Sequence, residues 1–201
     1  MNILVVLAHP DPGSFNHALA DAAARAAKRA GHDVLLHDLY AERFDPILRS
    51  PKTPGDATLP DWLRRHCEEV AAADGIVIVH PNWWGQPPAI LTGWIDRVMR
   101  PGVAYEFRDG DQGEGIPVGL LRARTALVLN TSNTRPERER DTFGDPLDAI
   151  WRRCVFDLCG VKDLRRRTYS VVVTSTVEQR AEWLSNASAL VADAFPDEKR
   201  T

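Results

Sequence analysis

Three short stretches of the 201-residue chain carry residue types able to do chemistry. The first, His9-Pro10-Asp11-Pro12-Gly13-Ser14-Phe15-Asn16, puts small hydroxyl and amide residues where an apolar run gives way to a helical pattern. The opening N–H groups of a helix lack internal partners and sit at the positive end of its dipole, and Ser14 and Asn16 add side-chain donors. That is the composition of a phosphate cradle. The same residues also read more plainly, Ser14 as a helix cap and His9 as the filling of a strand end. Neither GxGxxG nor GxxxxGKS/T occurs, which argues against a dinucleotide Rossmann half and against a P-loop NTPase.

The second stretch, His80-Pro81-Asn82-Trp83-Trp84-Gly85-Gln86-Pro87-Pro88, follows an apolar run and contains two adjacent tryptophans. That is costly for a turn unless a flat apolar partner, the core or another subunit covers it. A planar ring fits, and backbone N–H groups of Trp83, Trp84 and Gly85 are placed to donate to its polar edge. The third stretch, Asn130-Thr131-Ser132-Asn133-Thr134-Arg135-Pro136-Glu137, offers hydroxyls and amides that suit an edge-on contact with a polar ring, although the same residues make ordinary turns. Convergence of the three stretches favours the ligand reading of each.

Other features read as structure. Arg165-Arg166-Arg167 lacks aromatic interleaving and reads as a solvated or phosphate-side patch, not a nucleic-acid site. Ser14 has no GxSxG context, and the six histidines lie scattered without HExxH or paired spacing, so no metal is expected. Cys67, Cys154 and Cys159 are an odd set without ligand spacing and read as reduced thiols. Redox chemistry would have to be borrowed from a cofactor.

These stretches need elements to position them. The run Asn2 to Ala8 is continuously apolar, as in a parallel strand buried on both faces. A helix over Phe15 to Ala30 follows, with Arg25, Lys28 and Arg29 at its far end and Gly31 as a stop. Strand Asp33 to Asp38 comes next, then an ordered loop from Glu42 to Leu59. The pattern repeats as helix Leu59–Ala73, strand Gly75–His80, helix Pro88–Met99, strand Ala123–Asn130, helix Pro146–Leu158, a strand near Tyr169 to Val173, and helix Val177–Ala194. Five strands alternating with five helices imply a single α/β domain over residues 1–201. Its parallel sheet carries helices on both faces, and ligands bind beyond the carboxyl ends of the strands, where all three stretches fall. Pro101 to Leu121, with five glycines, reads as an active-site or interface loop.

A formal charge of -3 with well-mixed signs gives no field for nucleic acid or an anionic membrane. The first apolar run ends at His9-Pro10, far short of a signal peptide or a membrane span, which points to the cytoplasm.

On these residues the chain resembles the flavodoxin-like NAD(P)H:quinone oxidoreductases, the family of DT-diaphorase, modulator of drug activity B and the ancillary oxidoreductases of bacterial potassium efflux systems. The resemblance rests on Leu7-Ala8-His9-Pro10 with Ser14-Phe15-Asn16, on Pro81 to Leu91 running into Gly93-Trp94-Ile95-Asp96-Arg97-Val98, and on Pro101-Gly102-Val103-Ala104-Tyr105-Glu106-Phe107. In the bacterial general-stress-protein branch it continues through Phe143-Gly144-Asp145-Pro146-Leu147 and Phe156-Asp157-Leu158-Cys159-Gly160. It implies a flavodoxin-like five-stranded sheet in the order 2-1-3-4-5. By the same resemblance His9, Ser14, Phe15 and Asn16 hold a flavin phosphate, and Pro81, Asn82, Trp83 and Trp84 with Thr131, Ser132 and Asn133 border the isoalloxazine. Tyr105 and Phe107 would line a substrate pocket across a homodimer interface.

One departure matters. Mammalian members have a Thr-Thr-Gly-Gly turn followed by a Tyr and a His, where this chain has Thr131-Ser132-Asn133-Thr134 and a charged run from Arg135 to Asp141, so no catalytic acid transfers. The expected activity is two-electron, ping-pong reduction of quinone-like, azo or nitroaromatic acceptors. FMN is favoured, FAD is the alternative, and NADPH or NADH is the donor. A regulatory flavoprotein subunit of a potassium efflux transporter is the competing reading. A flavodoxin-type one-electron carrier ranks below both, because the chain is only mildly acidic.

Overall fold

The computed structural model describes residues 1–48, 59–109 and 115–197. Its frame is a five-stranded parallel sheet made of β1 (Asn2–Leu7), β2 (Asp33–Asp38), β3 (Gly75–Pro81), β6 (Thr125–Ser132) and β7 (Asp163–Ser170), in the order β2-β1-β3-β6-β7. Counting the five sheet strands alone, this is the expected 2-1-3-4-5. A two-stranded antiparallel hairpin, β4 (Tyr105–Arg108) and β5 (Ile116–Gly119), stands apart from it.

Alternation along β1 divides the core. Ile3, Val5 and Leu7 face a cluster built with α1 (Phe15–Arg29) and α6 (Val177–Ala194), which includes Leu19, Ala23, Ala187 and Val191. Leu4, Val6 and Ala8 face the other cluster, with Leu63 and Val70 of α2 (Asp61–Ala72), Leu91 and Trp94 of α3 (Ala89–Val98), and Trp151. A strand whose two faces are both covered by helices must be apolar at every position, which is why β1 and β3 lack polar alternation. On α1 the alanine-rich face lets the helix lie close to the sheet. Ser14 caps it, and Gly31, at φ +81°, turns the chain out into β2.

Several expectations are corrected. The last strand is Asp163–Ser170, not Tyr169 to Val173. It is the sheet edge, where polar and charged residues are tolerated, while Val172–Thr174 is one turn of 3-10 helix. The Arg165-Arg166-Arg167 run is part of that strand, and acids engage its first two residues, while Arg167 is exposed over the Tyr169 ring. Arg165 pairs with Asp163 and Asp193, and the largely buried Arg166 pairs with Asp145. The charged run after the third stretch forms helix α4 (Pro136–Phe143), with Pro136 at its first position and Gly144, at φ +74°, as its stop. The helix expected over Pro146–Leu158 begins as α5 (Pro146–Ala149) and continues as a π-helical segment, Ile150–Asp157.

The Pro101–Leu121 excursion holds the β4–β5 hairpin. Gly119 lies so close to the end of the π-helical segment that a Cβ there would sit 2.2 Å from Gly160 N, so only glycine permits the contact. Gly110 and Gly113 of this excursion, and residues 49–58 of the loop read between Glu42 and Leu59, lie outside the described residues. Among the described residues no helix is long and apolar enough to cross a membrane.

Candidate functional site

The carboxyl ends of β1, β3 and β6 release the three stretches side by side. Pairing of Pro81 with Thr131 across β3 and β6 sets the second and third stretches level, and Asn82 N–H donates to the Thr131 carbonyl at 2.7 Å just beyond the ladder. The first stretch is joined to the third by a buried bridge in which Asn16 Nδ2 donates to Thr131 Oγ1 at 3.0 Å. A cavity of about 300 Å³ lies between them, lined by His9, Ser14, Phe15, Asn16, Pro81, Asn82, Trp83, Thr131, Ser132 and Asn133, with Thr134 and Val172. The structure thus brings together ten of the eleven residues singled out from sequence for the cofactor.

Each wall has its own logic. Phe15 and Asn16 occupy the first two positions of α1, so their N–H groups have no intrahelical acceptor. Asp11 shapes the loop before them by donating its N–H to His9 Nδ1 at 3.1 Å and accepting from Gly13 N–H at 2.9 Å. Burial pulls His9 below its ordinary pKa, and the charge of His17 adds to this, against a raising contribution from Asp11. In the neutral ring, with Nδ1 accepting from Asp11, the hydrogen sits on Nε2. Across the cavity, Asn82 Oδ1 is buried and has no hydrogen-bond partner among the described residues. The third stretch is braced by Ser132 Oγ, which accepts from Thr134 N–H at 3.0 Å, and by Asn133 Oδ1, which accepts from Val173 N–H at 2.9 Å.

Trp84 is the eleventh residue and does not line this cavity. Trp83 and Gln86 exchange backbone hydrogen bonds at 3.0 Å, closing a turn with Trp84 at φ 58° and Gly85 at φ 72°. Positive φ at both central positions projects the Trp84 ring outward, 97% exposed, on the rim of a neighbouring hollow formed with Pro46, Pro88 and Asp96. A Cβ on Gly85 would meet Pro146 Cγ at 2.7 Å.

Tyr105 and Phe107 are also elsewhere. They sit together on β4 with ring centroids 5.6 Å apart, Phe107 exposed and Tyr105 facing a separate hollow bordered by Arg97, Arg100 and Leu158, so neither lines the cavity within one chain. Of the cysteines, Cys67 and Cys159 are buried and Cys154 is exposed, and burial pushes the Cys159 thiol up to about 11.

Sequence reading missed two histidine arrangements. His17, three residues past Ser14, lies 2.9 Å from Ser14 Oγ and 2.9 Å from Asp38 Oδ2. The i, i+3 spacing on a capped helix was the available signal. His37 and His66, distant in sequence, lie with ring centroids 4.0 Å apart, and with Glu42 they form a group whose ligand-type atoms fall within 4.8 Å of one another. Hydrogen bonding does not suit a metal there. Trp94 donates to His66 Nδ1 at 3.3 Å, so the hydrogen of His66 sits on Nε2, which faces Glu42, while both ring nitrogens of His37 face carboxylates.

Most of the chain has known counterparts. Residues 1–191 match the family model Flavodoxin_2, described as flavodoxin-like fold. An uncharacterized NAD(P)H oxidoreductase of Haemophilus influenzae is 30% identical over 171 residues, covering 82% of this chain and 81% of that protein. The human ribosyldihydronicotinamide dehydrogenase (quinone) is 29% identical over 188 residues, covering 81% and 78%. In shape, an FMN-dependent NADH-azoreductase from Bacillus anthracis, solved in complex with FMN, superposes with a TM-score of 0.73 at 18% identity over 96% of this chain and 97% of that one. The chain belongs to the flavodoxin-like fold family, and the relatives it matches there bear the names of NAD(P)H oxidoreductases and quinone dehydrogenases.

Proposed function

We propose that this chain holds a flavin in the cavity above β1, β3 and β6 and passes two electrons from NAD(P)H to quinone-like, azo or nitroaromatic acceptors. FMN is preferred over FAD, as in the azoreductase of like fold. The observation that carries the reading is convergence, because three loops without sequence continuity line one cavity with complementary groups.

The cavity suits the cofactor at both ends. The unsatisfied N–H groups of Phe15 and Asn16, the Ser14 hydroxyl and His9 Nε2–H would hold the phosphate. Asn82 Oδ1 is a buried acceptor without a donor among the described residues, and a flavin edge offers N–H as well as carbonyl groups. A bound flavin supplies the redox chemistry that the side chains lack. The chain's part is to orient and to exclude water. Pro81 and Trp83 would form the apolar wall, and Thr131, Ser132 and Asn133 the polar rim.

Donor and acceptor would use the same open face in turn, which gives ping-pong kinetics. Tyr105 and Phe107 would complete the pocket from a second copy of the chain, hence a homodimer. NADPH or NADH would be the donor, and the exposed Arg135 and Arg138 beside the third loop, with Arg140 paired to Asp141, would suit the extra phosphate of NADPH. The test is NAD(P)H oxidation by purified holoprotein. Addition of a quinone should accelerate it, with parallel double-reciprocal lines, and no acceleration by any quinone, azo or nitroaromatic acceptor would overturn the reading.

A further inference from the structure

One chain of hydrogen bonds enters the cradle from β2. Ser14 Oγ contacts His17 Nδ1, His17 Nε2 contacts Asp38 Oδ2, and Asp38 Oδ1 accepts from the N–H groups of Tyr40 and Ala41 at 3.1 Å each. A carboxylate oxygen only accepts, so the hydrogen facing Asp38 belongs to His17 Nε2. Two states of the ring remain. A neutral ring has a bare Nδ1, which accepts the Ser14 O–H and turns that hydrogen away from the cavity. An imidazolium donates Nδ1–H to Ser14 Oγ and leaves the Ser14 hydrogen free to point into the cavity that Ser14 lines.

We propose that Asp38, His17 and Ser14 form a proton-linked latch for the flavin phosphate, an inference that rests on the flavin reading above. Docking of the phosphate dianion draws one proton from solvent onto His17 Nδ1. The new Nδ1–H donates to Ser14 Oγ, and the Ser14 O–H rotates to donate to a phosphate oxygen. No covalent bond between heavy atoms forms or breaks, and the proton stays on His17 while the phosphate is bound.

The surroundings support this exchange. Asp38 stabilises the imidazolium, and both side chains are about one-fifth exposed, so solvent can deliver the proton. His9, from the loop before α1, meets the His17 ring edge-on at 6.3 Å, and because burial holds its own pKa down it stays neutral beside His17, so the incoming dianion is the charge that the imidazolium answers. One turn along α1, Asp21 is engaged by Arg25 at 3.7 Å. A helix cap needs only Ser14. The added histidine and carboxylate make sense as a device that reads phosphate charge, which makes His17 a positioning residue.

The experiment is titration calorimetry of apoprotein with FMN at about pH 8, in two phosphate-free buffers of different ionisation enthalpy, with riboflavin as the comparison. The latch requires uptake of about one proton per FMN and none per riboflavin, with FMN affinity weakening about tenfold per pH unit across the range of uptake. In His17→Gln the uptake should vanish and FMN should bind roughly tenfold more weakly. In the wild type, the His17 Nδ1 resonance in ¹⁵N spectra should move to the protonated position on FMN addition, a readout that stands even if the variant does not fold. FMN binding without proton uptake, uptake that persists in the variant, or an unmoved His17 resonance would overturn the latch and leave the flavin reading intact. Failure of wild-type apoprotein to bind FMN or FAD would overturn both.

Discussion

The indole N–H of Trp151 donates to His80 Nε2 at 3.0 Å, and the other ring nitrogen of His80 donates to the Pro81 carbonyl at 2.8 Å. The two contacts fix the tautomer of a fully buried ring and clamp β3 where it releases the Asn82-Trp83 wall of the cavity. Trp151→Phe would leave a buried acceptor unpaired. A loss of about 1–3 kcal/mol in urea unfolding is expected, and a variant as stable as the parent would show that the clamp contributes nothing.

The same burial, with a further contribution from the charge of Arg166, brings the pKa of His80 down to about 4. A histidine whose folded value lies below its unfolded one contributes stability that is complete above about 6.5 and is lost as pH falls towards about 4. The gap corresponds to about 3 kcal/mol at 1.36 kcal/mol per pH unit. Unfolding free energy measured across this window should fall with acidification, and His80→Asn should flatten the slope.

Trp84 holds a left-handed backbone conformation with its ring in solvent, a combination that costs stability for no packing return. Trp84→Asn places a residue that tolerates positive φ in the first central position of the turn. It should stabilise the chain by about 1 kcal/mol. If the ring contacts a second copy or an acceptor, the same variant should also weaken dimerisation or raise KM, which sedimentation and steady-state kinetics would separate.

His37 sits between Glu42 at 2.9 Å and Glu69 at 2.7 Å. Burial pulls its pKa down, but the bonds and charges of the two carboxylates outweigh this and raise it. Glu42 is likewise raised by burial and then brought down to about 2 by His37 and His66. The histidine's contribution is therefore complete below about 6.5 and lost as pH rises through its raised value, whereas that of Glu42 is complete above about 4.5 and lost as pH falls towards about 2. Glu42→Gln should cost about 1–2 kcal/mol at pH 6, a small figure because Glu42 is 37% exposed, and less at pH 9. An equal cost at both pH values would show that the pairing carries no charge.

Sequence carried the parts of this molecule that depend on periodicity and on composition near strand ends. β1 and β3 are legible because a doubly covered strand must be apolar throughout, and α1 because Ser14 and Gly31 bracket it. β7 was misplaced because an edge strand tolerates Arg165 and Arg167, and charged runs read as surface unless the acids that meet them are known. The cavity was legible loop by loop, since loops after parallel strands gather at one edge. Its hydrogen-bonded depth was not, because the His17–Asp38 and His37–His66 contacts are set by how β2 lies against α1 and α2. Nor could sequence show that the Trp84 ring turns outward, since that follows from the sign of φ at two consecutive residues.

The most direct test of a flavin in this cavity is the absorption spectrum of the purified protein, reconstituted with FMN if colourless, before and after anaerobic NADPH. Bands near ~370 and ~450 nm that bleach on NADPH and return when a quinone is added are the expected result. A protein that neither carries nor takes up FMN or FAD, or whose bound flavin stays oxidised with NADPH and NADH alike, would contradict it.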